Sequence, residues 1–113
     1  PFVTTEQGGG FVRNGKIKNI FAINSRKKTK NDEADKLLNF IWENFNMLPF
    51  ALRWITKEWE EKEARELLDI LIKKKAVQAY PELIEVNEQR VAQAEHTFIP
   101  NESGVTVTTK ALE

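Results

Sequence analysis

The stretch Asp32–Phe45, DEADKLLNFIWENF, predicts the first helix of the chain and the start of a helical block. Its apolar residues recur every three or four positions, which places them on one face of a helix. Asn31 or Asp32 is suited to cap the helix start, because a side-chain oxygen there can accept a hydrogen bond from the first turn. The apolar face consists of Ala34, Leu37, Leu38, Ile41 and Phe45.

Two further helices are predicted downstream of this stretch. Pro49 can occupy the first position of a short helix that ends near Ile55, because the first turn leaves its N–H groups unbonded and proline has none. A third helix is predicted from Glu60 to about Lys75, with three lysines near its negative C-terminal end. Its inward face consists of Ala64, Leu67, Leu68 and Leu71.

Strands are predicted on both sides of the helical block. Upstream, Asn14-Gly15 predicts a hairpin, since both central residues of a type I′ turn need positive φ. Downstream, alternation predicts a strand from Arg90 to Ile99, with Glu95 on one face and His96 on the other. Gly8–Gly10 is interpreted as a flexible turn, because the spacing of a phosphate loop is absent. The predicted class is therefore α+β, with a helical insertion in a sheet domain.

Composition limits the classes of function. The 113 residues include 17 basic and 17 acidic side chains, so no net charge directs the chain to nucleic acid or to anionic membranes. The chain has no cysteine, so any metal ligands must be oxygen or nitrogen atoms. No apolar run approaches the ~20 residues of a membrane span, and a cytoplasmic location is expected.

Glu95 is the candidate for chemistry within the predicted strand. Gln93 and Thr97 share its face, and leaving such polar groups buried and unpaired costs about 1 to 3 kcal/mol each. The stripe must therefore be solvated or satisfied by partners, and the pattern alone favours an exposed sheet face over a ligand role. His96, the single histidine, would point to the opposite face, which favours a structural role.

The run Tyr80–Val86, YPELIEV, followed by Val91–Thr97, VAQAEHT, resembles the last motif of archaeal-type type II methionine aminopeptidases. The resemblance covers essentially the whole chain and indicates the C-terminal part of such an enzyme, including its helical insertion. The other segments that resemble this family are Pro1–Thr4, Leu37–Phe45, Leu48–Trp54 and the ending Gly104–Lys110.

The family resemblance implies a two-fold pseudo-symmetric pita-bread fold. Residues 1–30 would then form a β-hairpin part of the catalytic domain, and residues 81–113 its C-terminal strands. Residues 31–80 would form the type II insertion, a three-helix module that is winged-helix-like. Half of such a sheet leaves unpaired strand edges, so an N-terminal fragment or subunit of the same aminopeptidase is expected as partner.

The resemblance also implies a hydrolase that removes the initiator methionine from nascent peptides at two divalent metal ions, Co, Mn, Fe or Zn. The family holds these ions with two Asp, one His and two Glu, of which this chain would supply only Glu95 and no further catalytic residue. The chain alone is therefore expected to be inactive. Tyr80 and Pro49 match positions that wall the methionine pocket. The alternatives are a partly buried ring for Tyr80 and a plain helix start for Pro49.

The alternative function is a winged-helix-like module that binds nucleic acid or protein without catalysis. Acidic residues on the third helix would repel phosphates, so DNA is not expected as a partner, nor is a membrane. The basic run Arg26–Lys30 is interpreted as a solvated loop, and a nascent-chain substrate makes the ribosome a further candidate partner. The acidic residues are Glu60, Glu61, Glu63, Glu66 and Asp69.

Overall fold

A computed structural model describes residues 2–111, so Pro1 and the resemblance assigned to it lie outside the described residues. The chain divides into two compact units. The helical unit comprises residues 14–83, and the terminal unit comprises the residues up to Arg13 together with those from Ile84 onward. Helices and strands are mixed, which confirms that part of the predicted class. The division at residues 30 and 80 stays a prediction.

The helical unit contains three helices, α1 (Asp32–Phe45), α2 (Leu52–Ile55) and α3 (Glu61–Lys73). The bounds of α1 are those that the apolar spacing predicts. Asn31 is the cap of α1, since its side-chain oxygen accepts a hydrogen bond from the backbone N–H of Ala34 at 3.0 Å. The predicted apolar faces of α1 and α3 are buried, except that Phe45 at the end of α1 is only partly buried. A winged-helix arrangement stays a prediction.

Pro49 does not begin a helix, and this prediction is wrong. Pro49 is exposed and precedes a two-residue strand, β3 (Phe50–Ala51), and only then does α2 begin. The reason is tertiary pairing, because Phe50 lies opposite Phe21 of the neighbouring strand and is fully buried. Burial of this ring in an extended conformation outweighs the local preference of proline for a first helical turn.

The predicted hairpin at Asn14-Gly15 is also wrong. Both residues lie within one strand of 12 residues, β2 (Val12–Ile23), and neither has the positive φ that a type I′ turn needs. Strand β2 lies between β3 and β4 (Val77–Glu85) in a three-stranded sheet. Pairing of the long strand β2 with β4 outweighs a turn signal that depends on only two residues.

A single apolar cluster fills the helical unit. The rings of Phe21 and Phe45 stack on Phe50 with centroids 5.9 and 5.4 Å away. Burying one large aliphatic or aromatic side chain contributes about 1.5 to 3 kcal/mol, so this cluster is the main source of stability in the unit. Besides Phe21 and Phe50, the buried members are Ile23, Ala34, Leu37, Leu38, Ile41, Leu52, Ile55, Ala64, Leu67, Leu68, Leu71, Ala76 and Val77.

The terminal unit is built from short strands. Strand β1 (Phe2–Thr4) pairs antiparallel with β5 (Val91–Gln93), and β6 (Phe98–Asn101) forms a tight hairpin with β7 (Gly104–Val107). The predicted continuous strand from Arg90 to Ile99 is wrong, because residues 94–97 belong to no strand. Within residues 2–111 the structure contains no helix long and apolar enough to cross a bilayer.

Candidate functional site

Glu95 lies in the connection between β5 and β6, two residues after Gln93, and is exposed. Among residues 2–111 no group of three or more His, Asp or Glu side chains is arranged to hold a metal ion. A ligand role for Glu95 stays a prediction.

Strands β1 and β5 support the segment that leads to Glu95. Their register pairs Phe2 with Gln93 and Thr4 with Val91. A shallow, open cavity of about 310 Å³ lies beside this pair and is mostly apolar, and 67% of Val3 is exposed. The residues lining it are Phe2, Val3, Ala92, Gln93 and Ala94.

Glu85, at the end of β4, is the buried charged residue of this region and is only 1% exposed. Its Oε1 accepts a hydrogen bond from the backbone N–H of Gly9 at 2.5 Å. Its Oε2 accepts two more, from the N–H of Asn87 at 2.7 Å and from that of Gln89 at 3.2 Å. The carboxylate thus joins the loop after β1 to the loop before β5.

The pKa of Glu85 follows from this environment. Burial on its own raises the pKa of a carboxyl group, but the backbone N–H donors of Gly9, Gln89 and Asn87 outweigh it and hold the pKa below its ordinary value. Glu85 is therefore an anion at neutral pH. The one signal of this role in the sequence is a charged residue within the apolar run LIEV, at a position where alternation alone predicts no buried charge.

Gly9 leaves little space for a side chain where the two loops meet. A Cβ atom on Gly9 would lie 2.7 Å from Cγ2 of Val86, closer than carbon atoms pack. The backbone N–H of Val86 donates to the carbonyl of Phe11 at 3.0 Å, and Arg13 pairs with Glu88 at 3.1 Å. The predicted flexible turn at Gly8–Gly10 is thus followed by a segment joined to the opposite loop at several points.

His96 is exposed and lies beside Glu95 in the β5–β6 connection. Its Nδ1 is 3.0 Å from the hydroxyl oxygen of Thr109, and that oxygen also accepts the backbone N–H of Thr97 at 2.9 Å. The N–H of Thr108 donates to the carbonyl of Thr97 at 2.9 Å. These contacts hold the segment just after Glu95 against the residues that follow β7.

The two predicted pocket residues, Tyr80 and Pro49, lie in the helical unit. Tyr80 is 43% exposed, and its hydroxyl accepts a hydrogen bond from the side-chain amide of Gln78 at 2.8 Å. Pro49 is also exposed. Both side chains are therefore open to a ligand, although their role in a methionine pocket stays a prediction.

The helical unit also carries a cationic surface. The backbone N–H groups of Asn24 and Ser25 donate to the carbonyl of Ala76 at 2.8 and 3.2 Å, which joins the basic loop to the end of α3. The guanidinium of Arg26 lies over the ring of Trp42, 4.7 Å from its centroid. The cationic surface comprises the exposed residues Arg26, Lys27, Lys28, Lys30, Lys73, Lys74 and Lys75.

Known proteins resemble this chain in sequence, although no family model matches it. A methionine aminopeptidase of Methanocaldococcus jannaschii is 39% identical over 110 residues, which are 97% of this chain and 36% of that protein. The methionine aminopeptidase of Saccharolobus solfataricus is 39% identical over 115 residues, 99% of this chain and 37% of that protein. The methionine aminopeptidase of Thermococcus kodakarensis is 38% identical over 109 residues, which are 96% of this chain and 36% of that protein. The chain spans little more than a third of the length of these relatives.

The fold is also found among solved structures. A thermophilic Arx1 matches with a TM-score of 0.74 and 18% sequence identity, covering 88% of this chain and 27% of the Arx1 chain. Similarity at this level of identity concerns the architecture alone. The arrangement of strands and helices seen here therefore also occurs within a larger protein.

Proposed function

Because this chain is related in sequence, over nearly its whole length, to a portion of the archaeal methionine aminopeptidases, we propose that it is part of such an enzyme. The activity would be hydrolytic removal of the initiator methionine from nascent proteins. The observation that carries this proposal is the 39% identity over 97% of the chain. The same relationship favours the enzyme over a winged-helix-like module without catalysis. The pita-bread fold with a winged-helix-like insertion belongs to the same proposal.

Glu95 would supply one carboxylate ligand to a pair of divalent ions, Co, Mn, Fe or Zn. Its exposure and its position directly after β5 support this role, since a ligand must reach ions that other residues also hold. Two such ions, when bound, lower the pKa of a shared water and polarise the scissile carbonyl. The remaining ligands lie outside the residues described here.

The partner that would supply those ligands is the N-terminal part of the same aminopeptidase. The terminal unit supports this, because among residues 2–111 its two small sheets have two strands each, which leaves strand edges unpaired. A two-stranded sheet is marginally stable by itself, so further strands are expected to pair with it. Intact mass spectrometry of the purified particle should detect a second polypeptide, or a longer chain that includes it.

The experiment that tests the function replaces Glu95 with alanine in the complete enzyme. We expect Glu95→Ala to abolish binding of the metal pair, measured by calorimetric titration with Mn²⁺, and to abolish release of methionine from a peptide. Glu102→Ala is the matched control, because Glu102 is an exposed glutamate in the β6–β7 turn and has no proposed role. Two tight metal sites in Glu95→Ala would contradict the proposal.

Tyr80 and Pro49 are proposed to wall the pocket for the methionine side chain. Both are exposed, so neither is committed to the core of the helical unit. Tyr80→Ala should raise KM for a methionine peptide more than it lowers kcat, because the substrate would lose an apolar contact in the ground state and the transition state alike. An unchanged KM would remove Tyr80 from the pocket.

A second candidate function is contact with ribosomal RNA through the cationic surface. Asp35 lines the same cavity as Arg26 and Lys28 and accepts the backbone N–H of Thr29 at 2.7 Å, and Glu33 pairs with Lys36 at 2.7 Å. The seven cationic side chains are exposed and outnumber these acidic groups, which favours contact with phosphates.

Filter binding to a ribosomal RNA helix tests this contact. The affinity for RNA should fall as the salt concentration rises. The triple variant Lys73→Gln, Lys74→Gln, Lys75→Gln should lower both this affinity and its dependence on salt. Gln at Lys57 and Lys62, which lie outside the cationic surface, is the control. Absent or salt-insensitive binding would contradict the contact.

A further inference from the structure

We infer that Glu85 is a positioning residue for Glu95, because its carboxylate fastens together the two loops that lead into the β1–β5 pair. This inference rests on the proposed function only in its last step, the use that is made of Glu95. The fastening itself is a property of the terminal unit. It can be tested whether or not Glu95 binds a metal.

The two carboxylate oxygens of Glu85 serve different loops. Oε1 accepts from Gly9, which follows β1, and Oε2 accepts from Asn87 and Gln89, which precede β5. Gly9 is 76 positions away in sequence, so this bond joins distant parts of the chain. A side chain must offer two acceptor oxygens at this reach to satisfy both loops, and glutamate does so.

The loops that Glu85 joins continue directly into paired strands. Thr4 of β1 lies opposite Val91 of β5, and Phe2 lies opposite Gln93. Glu95 follows Gln93 by two residues, with no helix or turn between them. A change in the path of the loop before β5 would therefore be transmitted along this short strand to the carboxylate of Glu95.

The negative charge of Glu85 is required, and not only its shape. Among residues 2–111 no Lys or Arg forms an ion pair with Glu85, so backbone N–H donors alone compensate the buried charge. In Glu85→Gln one oxygen becomes an NH₂ group that would face backbone donors. At least one loop would then lose its hydrogen bond, and a buried donor without an acceptor is unfavourable.

The test is amide hydrogen exchange by NMR in the complete protein, comparing Glu85→Gln with Glu88→Gln. Glu88 is the matched control because it lies three residues away but is exposed and pairs only with Arg13. The backbone amides of Asn87, Gln89 and β5 should exchange at least about tenfold faster in Glu85→Gln than in the wild type. Their exchange rates should be unchanged in Glu88→Gln. Exchange in α1 should be the same in both variants.

Glu85→Asp keeps the inference testable if Glu85→Gln does not fold. Aspartate retains the charge but is shorter by one methylene, so it can reach only one of the two loops. Faster exchange confined to the loop of Gly9, or to that of Asn87 and Gln89, is the expected result. Wild-type exchange in both loops would overturn the inference.

Metal affinity separates this inference from the proposed function. Replacing a group that hydrogen-bonds directly to a metal ligand typically changes metal affinity about 10- to 100-fold, and this range is the upper limit for Glu85, which acts through the backbone. A Mn²⁺ titration of the complete enzyme should show weaker binding in Glu85→Gln than in the wild type. Faster exchange with unchanged Mn²⁺ affinity would overturn the positioning role. If Glu95→Ala binds both ions, the proposed function fails, while the exchange rates still decide whether Glu85 fastens the loops.

Discussion

Different interactions stabilise the helical unit and the terminal unit. Every fully buried apolar side chain of residues 2–111 lies in the helical unit, whereas Glu85 is the one fully buried side chain of the terminal unit. The first unit is stabilised by apolar burial, which has no direction and tolerates small shifts. The second depends on hydrogen bonds with fixed geometry. A region organised in this way is suited to placing a functional group rather than to supplying stability.

The largest effect is expected from emptying part of the apolar core. Leu71 of α3 is 0% exposed, and Leu71→Ala should destabilise the protein by about 2 to 5 kcal/mol, because it removes buried contacts and leaves a cavity. The free energy of unfolding from urea denaturation measures this. Leu83, 62% exposed, is the matched control, and Leu83→Ala should change it by less than about 0.5 kcal/mol. Equal losses of unfolding free energy in Leu71→Ala and Leu83→Ala would contradict the prediction that buried apolar side chains stabilise this unit.

The terminal unit should respond to pH through Glu85. The pKa of Glu85 is lower in the folded chain than its ordinary value of 4.5, so its charge stabilises the fold above that pH. This contribution is lost as the pH falls below 4.5 and through the lowered pKa. The melting temperature of the wild type should therefore drop more steeply in acid than that of Glu85→Gln. Parallel pH profiles for the two proteins would contradict the assignment.

A smaller effect is expected from the start of α1 in the helical unit. Asn31→Ala removes the acceptor for the N–H of Ala34 and should destabilise the protein by about 1 kcal/mol. Asn31→Ser should recover most of the loss, because a serine hydroxyl can accept the same bond. Thermal unfolding of the three proteins measures the difference, and an Asn31→Ser protein no more stable than Asn31→Ala would exclude the cap.

The smallest effect is expected at the surface of the terminal unit. Arg13 pairs with Glu88 at 3.1 Å, but both side chains are largely exposed, 48% and 75%. Such pairs contribute about 0 to 1 kcal/mol, so Arg13→Ala should barely change stability in physiological salt. A loss as large as that of Leu71→Ala would mean that surface charges support this unit.

The sequence predicts the helical unit better than the terminal one. Apolar residues at helical spacing predicted α1 with its bounds and α3 to within two residues, because burial of that face determines both helices. The turn predicted from Asn14-Gly15 and the helix start predicted from Pro49 are wrong. Asn14 and Gly15 lie within strand β2, and the residues after Pro49 pair with β2, so strand pairing outweighs signals carried by one or two residues. The helical spacing of apolar residues predicts structure well where many such residues lie on the same face of a helix.

The candidate site could be predicted only in part. Glu95 is predicted through a family motif, and its ligand role stays a prediction. The role of Glu85 could not be predicted from local pattern, because its main partner, Gly9, is distant in sequence and contributes a backbone N–H that any residue possesses. Hydrogen bonds to the backbone leave little trace in the sequence, in contrast to apolar faces.

The β1–β5 pair has a consequence for the time course of folding. Phe2 lies opposite Gln93, so the strands can meet only after the 86 residues between Thr4 and Val91 have been made and brought together. The contacts between α1 and α3 span a much shorter stretch and can form earlier during synthesis. β1 therefore leaves the ribosome long before β5, and the pairing of these two strands forms late in synthesis.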